Sequence, residues 1–139
     1  MLGKEDVGRT GSWGLRSDAQ PELLVAGRFV GWSSSKSTRH THEWAWCSGC
    51  RWSEFRLFVR DTGGFVIHYT GVSDKPGEVT RLRYEEAITA HEVVEILTTR
   101  RSRDGRRDVF LSAPAARLLS QAASFDEAIR DAFENRAVL

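Results

Sequence analysis

Cysteine is scarce in this chain, long apolar runs are absent, and neither sign of charge dominates. The two cysteines, Cys47 and Cys50, are too few for a disulfide framework, so a reducing setting is the expectation. No apolar stretch approaches the ~20 residues of a membrane-spanning helix, so no membrane partner is expected. The first six residues carry charge with no apolar stretch behind them, which gives no secretory signal and leaves a cytoplasmic address as the expectation. Twenty basic residues against nineteen acidic ones leave a net charge of +1. That balance argues against a strong, indiscriminate DNA binder.

The common catalytic signatures are missing as well. There is no Gly-x-Ser-x-Gly elbow, and Asp61-Thr62-Gly63-Gly64 connects two predicted strands instead of leading into a helix. In His91-Glu92-Val93-Val94-Glu95, a glutamate stands where a metalloprotease helix needs its second histidine. Those residues read more simply as acids favoured near a helix N-terminus.

What is present suits one small soluble domain: 139 residues, 40% hydrophobic and 28% charged. Residues 1–22 mix glycine, serine and charge without a sustained period and read as a flexible N-terminal arm, with Trp13 docking somewhere on the rest. Residues 23–139 read as a single α+β domain, an antiparallel meander of four to five strands followed by helices packed on one face. The strands are expected at 23–32, 42–47, 50–60, 65–72 and 79–84, with Ser48-Gly49 as a two-residue hairpin turn. Thr89 with Glu92, and Ser124 with Glu127, have capping-box spacing, and Ser112 precedes a segment with Pro114 in its first turn. A short strand is expected around Val109-Phe110-Leu111.

Alternation sorts the sheet into two faces. Trp44, Trp46, Phe55, Leu57, Val59, Phe65, Ile67, Tyr69, Leu82 and Tyr84 make a core face for the helices to cover. The opposite face carries Trp52, Arg56, Phe58, Arg60 and His68, joined by Arg81 and Arg83 if the later strands keep register. Aromatic rings interleaved with arginines can stack on bases while the cations meet phosphates, so this face is a candidate nucleic-acid platform. The plainer alternatives are that it packs beneath the N-terminal segment or against a second copy of the chain as a homodimer. Residues 100–107 add five arginines, Arg100, Arg101, Arg103, Arg106 and Arg107, in one predicted loop. A phosphate backbone or an acidic protein surface would suit that cluster.

His40, His42, Cys47 and Cys50 are residues of zinc-ligand type, and zinc is the one cofactor the sequence suggests. Against it, both histidines lie just before the cysteine pair, and strand alternation puts them on the opposite face from the cysteines. Two reduced cysteines flanking a turn is the simpler reading. His68 beside Arg56 and Arg60 has the composition of a small metal-independent phosphodiesterase. With no ordered catalytic set, the sequence points to a non-catalytic binding or regulatory protein that recognises nucleic acid or, alternatively, a protein.

Overall fold

The computed structural model describes residues 2–35, 51–73, 77–101 and 107–136. It is an α+β fold in which an antiparallel meander is followed by three helices that pack against it. Strands β1 (Thr10–Leu15), β2 (Leu23–Ser34), β3 (Arg51–Arg60), β4 (Phe65–Ser73) and β5 (Arg81–Ala87) lie in that spatial order in one sheet. Helix α1 (Ala90–Thr98) leads into a two-stranded ribbon, β6 (Thr99–Arg101) and β7 (Arg107–Val109), and then come α2 (Ala113–Ala123) and α3 (Glu127–Glu134). The hairpin expected at Ser48-Gly49 and the strand before it lie outside the described residues.

Local chemistry sets the helix starts. Thr89 Oγ1 accepts from the Glu92 amide at 3.1 Å, and the Glu92 carboxylate accepts from the Ile88 amide at 3.0 Å. Ser112 Oγ accepts from the Ala115 amide at 3.2 Å, with Pro114 in the first turn. The expected cap of α3 needs correcting: Asp126, not Ser124, accepts from the Ile129 amide at 2.9 Å, because Ser124 is spent closing α2. The strand expected at 109–111 ends at Val109 instead, since its pairing partner Thr99 ends the ladder there, and Phe110 is half exposed.

Two cores sit on the two faces of the sheet. On one, Val93 and Leu97 of α1, Leu118 and Leu119 of α2 and Ile129 of α3 pack on Val30, Leu57, Phe65 and Ile67. Gly31 lets α2 close in, because a Cβ there would stand 2.9 Å from Leu118 Cδ1. On the other face, Leu15, Val25, Phe29, Phe58, Val66 and Tyr84 form a second cluster that Trp13 joins. The ring centroids of Trp13 and Phe29 lie 5.4 and 5.2 Å from that of Phe58, within the range for favourable aromatic pairs.

The second core exists because β2 turns a corner. Its first half pairs with β1 and its second half with β3, and the register shifts between Phe29 and Gly31, leaving Val30 as the extra residue of a bulge. The β1–β2 hairpin therefore folds back over the sheet. Strands β1 and β5 are at opposite ends of the strand order, yet the Asp18 amide donates to the Leu82 carbonyl at 3.0 Å and the Leu82 amide to Asp18 Oδ2 at 2.8 Å. The reading of residues 1–22 as an arm is corrected accordingly for Thr10–Leu15, which is a strand of the sheet. Glycines at 11 and 14 interrupt its apolar pattern and hide it.

The register of β5 also departs from expectation. Tyr84 pairs with His68 and Leu82 with Thr70, so both belong to the second face, while Arg83, Glu85 and Ala87 share the helix side with Tyr69, Ile67 and Phe65. Because both faces carry a core, the alternation in β5 alone does not say which core its apolar residues enter.

Candidate partner-binding site

The proposed platform face is mostly filled. Trp32, Arg56, His68 and Tyr84 form one cross-strand row on β2, β3, β4 and β5, and residues of the N-terminal segment lie across it. Arg56 is only 4% exposed. Its Nε donates to the Leu2 carbonyl at 2.6 Å, one terminal nitrogen to Thr70 Oγ1 at 3.1 Å, and the other to Glu54 Oε1 at 2.8 Å. Tyr84 donates its hydroxyl to the Pro21 carbonyl at 2.8 Å. Each of the three Arg56 guanidinium nitrogens is already engaged, and at 4% exposure the group offers no open face to a phosphate.

His68 is 3% exposed, and its Nε2–H donates to the Arg16 carbonyl at 2.9 Å. That bond fixes the tautomer, leaving Nδ1 buried without a hydrogen-bond partner. Burial pushes its pKa below the usual imidazole value, partly offset by the bond to Arg16, and the nearby Arg56 charge lowers it further. A buried, neutral imidazole held by a carbonyl is not placed to move protons for a substrate. Phe58 is fully buried in the aromatic cluster. Arg56, Phe58 and His68 are therefore corrected from face-exposed binding residues to parts of the second core. The alternative that this face packs beneath the N-terminal segment describes their positions.

Arg60 remains at the surface, paired with Glu86 at 2.6 Å. Trp52, toward the far end of β3, has a different setting. It is half-buried, and its indole N–H donates to Glu54 Oε2 at 3.2 Å. Beside it opens a groove of about 670 Å³, lined by Arg51, Trp52, Ser53, Val72, Glu78 and Arg81 among others. Arg51 forms a forked ion pair with Glu78, whose carboxylate raises the arginine's pKa. Arg81 is exposed, and Val79, also lining the groove, is 78% exposed.

A second hollow of about 470 Å³ lies between α1 and the sheet, lined by Tyr69, Arg83, Glu85, Glu92, Glu95 and Thr99 among others. The Arg83 guanidinium sits 3.8 Å from the Tyr69 ring centroid and pairs with Glu85 at 2.8 Å. Burial, reinforced by the Glu85 charge, pushes the Tyr69 hydroxyl pKa well up, so the phenol stays protonated. Sequence reading missed this hollow because the expected register put Arg83 on the opposite face.

Of the arginine-rich segment, Arg100, Arg101 and Arg107 lie on the β6–β7 ribbon, with Arg101 opposite Arg107. Arg103 and Arg106 lie outside the described residues, as do all four zinc candidates, His40, His42, Cys47 and Cys50. Among the described residues, no group of three or more His, Cys, Asp or Glu side chains is placed to hold a metal ion. Nor is any described helix long and apolar enough to cross a membrane. No known protein family, curated protein or solved structure matches the chain.

Proposed function

We propose that this is a non-catalytic binding module that engages single-stranded nucleic acid at the far end of its sheet. The observation that supports the reading is the groove at the end of the sheet whose lining includes Arg51, Trp52 and Arg81, the two arginines on the helix side and Trp52 on the other face. An indole offers a π-face to a base, and arginines close by suit the phosphates on either side. The arginines of residues 100–107 would supply the sequence-independent, salt-sensitive part of binding. The burial of His68 and Arg56 supports a binding role over phosphodiester chemistry, since it takes away the residues such chemistry would use.

A protein partner is the second reading. It is favoured by the Glu78 carboxylate, which already neutralises Arg51, and by the exposed Val79 in the same groove. The two readings separate in a fluorescence-anisotropy titration of labelled single- and double-stranded DNA and RNA at two salt concentrations. The nucleic-acid reading expects salt-sensitive binding to single strands and a loss of about 1–3 kcal/mol for Trp52→Ala. Joint replacement of Arg100, Arg101, Arg106 and Arg107 should flatten the salt dependence. Absence of binding at low salt would reject this reading and leave the protein partner.

A further inference from the structure

We infer that the outer edge of β1 is a self-association surface, through which two copies of this chain pair antiparallel about a two-fold axis at Ser12. The Phe29 amide donates to the Arg9 carbonyl. The ladder's alternation then assigns Gly11, Trp13 and Leu15 to bonding with β2, and it turns the N–H and C=O of Thr10, Ser12 and Gly14 outward. Among the described residues, no other segment bonds to those outward groups.

The two edges of the sheet are treated differently. Edge strands are normally protected by charge, proline or a covering segment. Strand β5 has that protection: Arg81, Arg83, Glu85 and Glu86 lie on it, while Asp18 and Gln20 bond to its backbone. Strand β1 reads Thr-Gly-Ser-Trp-Gly-Leu, with no charge and no proline. Such an edge is a template for another strand.

Register arithmetic favours a second copy as that strand. Outward groups meet outward groups only when even-numbered residues face each other, and centring on Ser12 sets Thr10 against the partner's Gly14. Arg9 then faces the partner's Leu15, and Arg16 faces the partner's Gly8, so no like charges meet. Along the outer face, one row reads Leu24, Gly14, the partner's Thr10, the partner's Arg28. Leu24, 71% exposed, stands next to the glycine. The Glu22 carboxylate lies against Gly14, so close that a Cβ there would sit 2.5 Å from its oxygen. It is thus on the same side as the partner's Arg28, about two strand spacings from Gly14. The two-fold repeats this match of opposite charges in the other half, giving an isologous pair.

The test is sedimentation velocity of the full chain over a concentration series, for wild type, Ser12→Lys, Ser12→Glu and an equimolar mixture of the two variants. Ser12 is exposed and its side chain has no role in the β1–β2 ladder, so either charge leaves the monomer folded, as circular dichroism will check. The wild type is expected to show concentration-dependent dimer. Each single variant should weaken it about fivefold or more, because like charges then face each other across the axis. The mixture should restore dimer, and amide exchange at Thr10, Ser12 and Gly14 should slow as wild-type dimer forms. A wild type that stays monomeric throughout would overturn the proposal. So would single variants that dimerise like wild type, or a mixture no better than its components.

Discussion

Replacing Arg56 with methionine separates a structural arginine from a ligand-binding one. The guanidinium is 4% exposed and donates to Leu2, Thr70 and Glu54. Hydrogen bonds to a charged group contribute about 1.5–3 kcal/mol each when broken singly. Methionine keeps the stem's packing and removes the cost of burying a charge, several kcal/mol by itself. Glu54 is 22% exposed and regains water when its partner is lost. The orphaned Leu2 carbonyl and Thr70 hydroxyl remain, for a net destabilisation of about 2 kcal/mol. In a chain of this size that lowers the melting temperature by about 4–8 °C. Arg60→Met is the internal control: its pair with Glu86 is at the surface, and its loss should change stability by about 0.5 kcal/mol or less. The assay is urea unfolding followed by tryptophan fluorescence. Equal effects of the two substitutions would mean that Arg56 is no more structural than Arg60. So would a neutral Arg56→Met that instead altered the salt dependence of nucleic-acid binding.

Two further outcomes follow from the same geometry. His68 has a folded-state pKa below its ordinary value of 6.5, so at acidic pH the unfolded chain binds a proton that the folded chain does not. Stability contributed by the neutral ring is present above about pH 6.5 and is lost as the pH falls below it; unfolding midpoints across that range should show the decline, and His68→Gln should reduce it. Gly27→Ala would put a Cβ 1.9 Å from the Val59 carbonyl oxygen, forcing the β2–β3 backbones apart where β2 turns its corner. A cost of about 1–3 kcal/mol is expected by thermal denaturation, while Gly63→Ala, with open space around it but a φ of +93°, should act through backbone strain alone.

How much of this was legible in the sequence depends on range. Strands β2, β3 and β4 and the caps at Thr89 and Ser112 follow from signals within a few residues, and the structure has them. The face assignment of Phe55, Leu57, Ile67 and Tyr69 followed from alternation in the same way. What escaped was long-range. The fate of Arg56 is decided by Leu2, 54 residues earlier in the chain, and no local pattern announces that contact. Tyr84 entered the other core because two cores were available to an alternating strand. Strand β1 was hidden by its two glycines, whose missing side chains erase the period that would have marked it. Trp52 was legible as a candidate, but the groove was not: alternation put Arg81 on the face of Trp52, whereas the observed β4–β5 register sets it opposite Gly71 on the helix side.

The proposal puts recognition at the Trp52 end of the sheet and not on the face covered by the N-terminal segment. The most direct measurement is an amide chemical-shift map of the isotope-labelled chain during titration with a mixed-sequence single-stranded oligonucleotide. The expected shifts cluster at Arg51, Trp52, Ser53, Val72 and Arg81 and on the β6–β7 ribbon, with Arg56, Phe58 and His68 unmoved. Shifts centred on Arg56 and His68, or none at low salt, would contradict the proposal.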